Sequence, residues 1–148
     1  AGKQEWGVKI YLEYEKFVEF LKKENEEVKK MEESKLTMSE GAQWYVDKKI
    51  DELISEESEE EIEKQLQRIA KRLEDCCEQT ALCDLLPKEA TMGMNKDNIF
   101  NAAYLIDNDK LDYFKKMLQE TRKECDQIGA ALVVTGPWPP YNFVDIEK

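Results

Sequence analysis

The sequence predicts an α+β fold with a β-α-β-β-α-β order and a long helical insertion after the first strand. Two observations carry this. The apolar period switches between two and 3.6 residues in that order along the chain, and the most continuously apolar extended run, residues 99–106, has the pattern of a central strand.

Residues 5–12 alternate, with Trp6, Val8, Ile10 and Leu12 on one face and Gly7, Lys9 and Tyr11 on the other. That is a strand with one apolar side, suited to a sheet covered on one face. From residue 13 to about 33 the spacing turns helical through Tyr14, Phe17, Val18, Leu21, Val28 and Met31. The second half of this helix is mostly lysine and glutamate and is expected to project into solvent. Residues 34–39 read as a loop, and Ser39 is the N-cap expected for a helix carrying Tyr45, Val46, Ile50, Leu53 and Ile54.

The run Ser55-Glu56-Glu57-Ser58-Glu59-Glu60-Glu61 interrupts that apolar stripe and reads as a solvated turn. Ser58 and Glu61 have capping-box spacing, so a new helix can start there; one continuous helix is the alternative. Ile62, Leu66, Ile69, Ala70, Leu73 and Cys76 or Cys77 carry the stripe onward, and the insertion covers about residues 34–80. Residues 81–86 read as a strand stopped by Pro87, and residues 91–98 as turn-rich. After the strand of residues 99–106, Asp109 is the expected cap of a helix carrying Leu111, Phe114, Met117, Leu118 and Thr121. Residues 130–134 form a last strand. This order is that of ferredoxin-like folds, in which right-handed crossovers place both helical layers on one face of a four-stranded antiparallel sheet.

A chain of 148 residues, 41% apolar, fits one domain and is not wholly disordered. Its net charge of −11 works against nucleic acids and anionic membranes, which need positive surface, and allows a basic partner. No apolar run approaches the ~20 residues of a membrane span, and there is no signal-peptide core. The start Ala1-Gly2-Lys3 reads as a cloning remnant before one piece of a longer protein. Cys76, Cys77, Cys83 and Cys125 form no CxxC pair, and reduced thiols are expected.

The chain has no histidine, which excludes Ser-His and Cys-His dyads and His-containing metal sites. Its 33 carboxylates lie mostly in helical charge runs on presumed solvated faces, so no catalytic residues, cofactor or metal are expected. The oxygen-rich segment Asp107-Asn108-Asp109 fails as a calcium loop. Counted from Asp107, the sixth position is Asp112 instead of glycine and the twelfth is Leu118 instead of glutamate.

Two candidate interaction surfaces remain. One is the acidic helical insertion, whose alternative is packing on the sheet or on itself. The other is Gly136-Pro137-Trp138-Pro139-Pro140-Tyr141, the least generic stretch of the chain. Three prolines in four positions fix the backbone and remove donors, so the segment can be neither helix nor central strand. Two aromatics on so stiff a support form a preorganised partner-binding surface. The alternative is a stiff chain exit whose Trp138 and Tyr141 pack onto the domain's own core.

The stretch Val134-Thr135-Gly136-Pro137-Trp138-Pro139-Pro140-Tyr141-Asn142-Phe143-Val144 resembles the terminal signature of the gas vesicle GvpL/GvpF family. Glu5-Trp6-Gly7-Val8-Lys9 and Asn101-Ala102-Ala103-Tyr104-Leu105-Ile106-Asp107 resemble two further family strands, in the same order and spacing. The resemblance implies that residues 1–148 are the C-terminal domain of a longer protein, with a modified ferredoxin-like fold. It also implies a non-enzymatic role at the gas vesicle and in the cytoplasm. The implied role is that of an accessory or minor structural assembly protein associating with the shell protein GvpA and other accessory gas vesicle proteins. The insertion here is longer and more acidic than the family pattern implies, and a self-associating helical module without a gas vesicle role is the alternative.

Overall fold

The computed structural model describes residues 2–87, 96–140, 142 and 143. The order is β1 (Lys3–Leu12), α1 (Tyr14–Glu24), α2 (Glu26–Ser34), α3 (Glu40–Glu74), β2 (Gln79–Leu82), β3 (Asp97–Asp107), α4 (Leu111–Ile128) and β4 (Ala130–Trp138). The strands form one sheet in the order β2-β3-β1-β4, and every neighbouring pair is antiparallel. This is the predicted α+β architecture, with the helical insertion after β1.

Alternation in the central strands builds the core. Val8, Ile10 and Leu12 of β1 and Phe100, Ala102, Tyr104 and Ile106 of β3 face the helices. They pack against Phe17 and Leu21 of α1, Ile69 and Leu73 of α3, and Phe114, Leu118 and Cys125 of α4. Tyr104 lies at the centre of this layer with no accessible surface, and its hydroxyl has no partner among the described residues. Burial raises its pKa far above the ordinary range, so the phenol stays neutral.

Several expectations are corrected. The helix expected over residues 13–33 is broken at Asn25. Its backbone (φ −87°, ψ 114°) is extended, its N–H closes α1 on the Leu21 carbonyl, and its side-chain oxygen accepts from Val28 N at 3.0 Å to open α2. The Asn25 amide also donates to Glu57 of α3. The break turns the second segment back onto α3, so Val28 is fully buried where projection into solvent was expected.

The acidic run at residues 55–61 is neither a turn nor a helix start: α3 continues through it for 35 residues, about 52 Å. Ser58 is 4% exposed and donates to the Ser55 carbonyl at 3.0 Å, within the helix instead of capping one. The core stripe is unbroken because Ser58 occupies the next position after Ile50 and Ile54. Ser39 caps α3 as expected, accepting from Ala42 N at 3.3 Å.

The strand expected over residues 81–86 is shorter. Cys83 N still donates to the Asn101 carbonyl at 2.9 Å, and beyond it the pairing passes to side chains: Asn101 donates to the Asp84 carbonyl at 2.8 Å, and Leu86 N donates to the Asn98 side chain at 2.9 Å. Asn98 sits at the register shift between Ile10 and Tyr11 and donates to the carbonyls of Ile10 and Phe100. β3 begins at Asp97, and the turn-rich residues 91–95 lie outside the described residues. The expected cap Asp109 is itself in a 3₁₀ turn, Asn108–Lys110; Asp107 caps that turn by accepting from Asp109 N at 3.3 Å.

Two ion pairs on Glu124, from Arg72 and, at 3.5 Å, from Arg68, clamp the insertion to α4. Arg72 of α3 meets Glu124 in two parallel contacts of 2.8 and 2.9 Å. The hydrogen bonds from Arg72 hold the Glu124 carboxyl below the ordinary carboxylate value. A depressed folded-state pKa stabilises fully above the unfolded value of about 4.5 and is lost as pH falls through the folded value. Glu124→Gln should therefore cost about 1 kcal/mol at pH 7, with the difference from the parent closing in acid. Urea unfolding at pH 7 and pH 3 checks this, and a difference that persists at pH 3 would refute it.

Candidate interaction site

The proline motif starts inside β4, the edge strand beside β1. Glu5 pairs with Trp138 and Gly7 with Thr135, so Gly136 and Pro137 together stand opposite Trp6. An edge position tolerates the missing proline donor. Gly136 is required by both conformation and space. Its φ is +133°, and a β-carbon there would lie 3.0 Å from the Glu5 carbonyl and 3.1 Å from the Trp6 ring. Trp6 in turn packs obliquely on Phe114, with centroids 6.3 Å apart.

Gly136, Pro137, Trp138 and Pro139 are exposed, and Pro140 is half-buried. Trp138 is 50% exposed, so it does not pack into the domain core. Tyr141 lies outside the described residues. Among the described residues of this segment, Phe143 has a closing role that Trp138 does not. It is 2% exposed and packs on Ala103 and Leu105, with Ala81 and Cys83 at the margin, on the sheet face opposite the helices.

Glu5 fixes this return of the chain. It is 5% exposed on the same face, and its carboxylate accepts from both the backbone N and the side-chain amide of Asn142 at 2.8 Å. Phe143 N then donates to the Pro140 carbonyl at 3.0 Å. The stiff segment thus delivers a polar latch and an apolar plug to the second face, while leaving its own ridge in solvent. Alternation in β1 marked Gly7, Lys9 and Tyr11 as the face away from the apolar stripe. The signal for the latch was Glu5 placed on that face.

The second candidate surface is the insertion. Its inward stripe packs into the core, but the α2–α3 connection and the start of α3 do not. Leu36 is 84% exposed, Tyr45 67% and Trp44 55%. Tyr45 was expected in the helix stripe and lies outside it. Trp44 was not singled out from sequence, although two adjacent aromatics on a helix point about 100° apart and cannot both face one core.

None of this resembles a catalytic constellation. Among the described residues no group of three or more Cys, Asp or Glu could hold a metal ion. Cys76, Cys77, Cys83 and Cys125 are free thiols. Burial pushes Cys125 up to about 11, which keeps it protonated and unreactive at neutral pH. No helix among the described residues is long and apolar enough to cross a membrane.

The overall fold is similar to that of solved gas vesicle proteins. The chain aligns with the crystal structure of the gas vesicle protein GvpF from Anabaena sp. PCC7120 over 97% of its length and 54% of that chain, with a TM-score of 0.63 at 19% identity. GvpF from Microcystis aeruginosa gives a TM-score of 0.57 at 15% identity, over 97% of this chain and 55% of that one. A sequence model of the gas vesicle synthesis protein GvpL/GvpF family matches residues 1–145.

The chain belongs to the GvpL/GvpF family of gas vesicle proteins. Gas vesicle protein F1 of Halobacterium salinarum is 41% identical over 66 residues, covering 44% of this chain and 30% of that protein. Gas vesicle protein F2 of the same organism is 44% identical over 48 residues, covering 32% and 21%. The chain thus spans about half the length of the solved relatives and less than a third of the curated ones.

Proposed function

We propose that this protein is a non-enzymatic accessory or minor structural component of gas vesicle assembly in the cytoplasm. In this reading it binds the shell protein GvpA, other accessory gas vesicle proteins, or both. The observation that carries it is the family match along residues 1–145. That match also speaks against a helical module with no gas vesicle role. Subunits that polymerise through apolar surfaces expose them beforehand, and an escort with a net charge of −11 would limit their premature association. The chain would work as the C-terminal unit of a longer GvpL/GvpF-type protein, in keeping with its 54% share of a solved relative.

The proposed contact is the ridge Gly136, Pro137, Trp138, Pro139 and Pro140, with Tyr141 included from its place in the motif. Its support is the half-exposed Trp138 on a support held by the Glu5–Asn142 latch. Trp138→Ala should weaken capture of purified GvpA by about tenfold while leaving the urea midpoint unchanged. Unchanged capture by a folded variant would remove Trp138 from the contact. Failure of the parent itself to capture GvpA would sink the GvpA reading.

A further inference from the structure

The tip of the helical insertion is tied back by polar contacts while displaying apolar side chains. Lys35, in the 3₁₀ turn between α2 and α3, pairs with Glu32 at 2.9 Å and with Asp47 of α3. Gln43 donates to the carbonyls of Lys35 at 3.1 Å and Met38 at 3.0 Å. So fastened, the tip presents Leu36, Met38, Trp44 and Tyr45 to solvent. The Trp44 and Tyr45 rings meet edge to face at 5.2 Å, and the Lys48 ammonium lies 4.9 Å from the Trp44 ring. No residue between positions 40 and 49 is buried. Four large apolar side chains exposed at one fastened turn and the helix start it is tied to form a contact surface more than a scatter of single exposed residues.

The charge beside it specifies the partner. Tyr45, Glu52, Glu56, Glu59 and Glu63 follow one another at spacings of seven, four, three and four, which keeps them on one side of α3 over about 27 Å. All five are exposed, and the four glutamates take part in none of the ion pairs among the described residues. Glu52 with Glu56 and Glu59 with Glu63 are like charges at i,i+4, which repel along the helix. A second copy of the chain would bring the same acidic stripe and a further −11 of charge to the contact. A cationic partner relieves the repulsion instead.

We propose that the insertion tip and the outer face of α3 form a docking site for a cationic amphipathic helix of a partner protein. Its aliphatic side chains seat on Leu36, Met38, Trp44 and Tyr45, and its lysines or arginines run along Glu52, Glu56, Glu59 and Glu63. This deepens the proposed function, and rests on it for the partner being an assembly protein.

Calorimetric titration of the whole chain with a synthetic Leu/Lys amphipathic helix of about 20 residues tests the surface. A Leu/Glu counterpart and a Lys peptide with scrambled apolar order serve as comparisons. The expected result is binding of the Leu/Lys helix alone, weakened about tenfold by Trp44→Ala with Tyr45→Ala, and comparably by Glu56→Lys with Glu59→Lys. Tyr113→Ala, an exposed aromatic on α4, should have no effect. Amide shift changes should centre on residues 36–63, and affinity should fall with added salt. Equal binding of the scrambled peptide, or full affinity in the aromatic double variant, overturns the proposal. So does light scattering that finds a dimer abolished by the aromatic substitutions, because the patch then belongs to a second copy. If GvpA is not captured while the Leu/Lys helix binds as stated, the gas vesicle reading fails and the surface stands. If GvpA is captured but neither set of variants alters capture or peptide binding, the surface fails and that reading stands.

Discussion

Phe143→Ala should lower the unfolding free energy by about 3 kcal/mol, the expected cost of truncating a buried phenylalanine. Phe143 is 2% exposed and covers Ala103 and Leu105, residues of the central strand β3 that point away from the helices. Without the ring, those positions and the margin at Ala81 and Cys83 lose their cover. The effect should remain on that face, because the helical layer has its own contiguous core. Hydrogen exchange should accelerate most in β1 and β3, with α4 little changed.

The same variant separates closing the fold from docking a partner. Trp138 stands on β4 before the chain returns, so a folded Phe143→Ala domain should keep GvpA capture if the exposed ridge is the contact. Glu5→Ala should add little on top of Phe143→Ala. Once the tail lifts, the carboxylate that accepted from Asn142 regains water, and two residues of one latch are not additive. A loss below about 1 kcal/mol for Phe143→Ala would mean that the tail does not close the second face.

Strand order was legible in the sequence because it depends on local periodicity. The alternation in β1 and the apolar run in β3 each identify themselves within a few residues, and antiparallel ferredoxin-like pairing follows from their order. The features that were not legible depend on distant partners or on a choice between two locally equal states. Asn25 can sit inside a helix or end one. What it does here, ending α1, opening α2 and reaching Glu57, requires α3 to lie beside it. Ser58 reads as a cap, but it takes a core position of α3 because a small side chain fits there and donates to its own helix.

The candidate surfaces divide in the same way. The proline motif was legible as stiff and exposed. Its consequence, Phe143 plugging a sheet face and Asn142 meeting a carboxylate 137 positions earlier, was not. At the insertion tip, Tyr45 was counted in the apolar stripe, yet the stripe that meets the core runs through Val46, Ile50 and Ile54, and Tyr45 shares the outer face of α3 with Glu52 and Glu56. A loose helical spacing admits a neighbour about 100° off the stripe, and only the packed layer shows which of two adjacent apolar residues faces it.

Gly136→Ala should cost about 2 kcal/mol and should change the fluorescence of Trp6. Two effects add. The φ of +133° is strained for any side chain, and the new methyl would press on the Glu5 carbonyl and on the Trp6 ring, each near 3 Å. Neither neighbour yields freely. The Glu5 carbonyl belongs to the pairing of β1, and Trp6 is held against Phe114. Gly2→Ala supplies the comparison. Gly2 also has a positive φ, of +83°, but a β-carbon there meets nothing within 4 Å. It should cost about 1 kcal/mol, the conformational penalty alone. Urea unfolding of the two variants therefore sets Gly136, crowded and at the more strained φ, against Gly2, which is open and nearer the left-handed helical value. If both cost the same, the close approach to Trp6 contributes nothing and the glycine is there for its backbone angle only. If Gly136→Ala costs the larger amount and also weakens GvpA capture, the ridge acts through the geometry that Gly136 sets, since the alanine methyl faces Glu5 and Trp6.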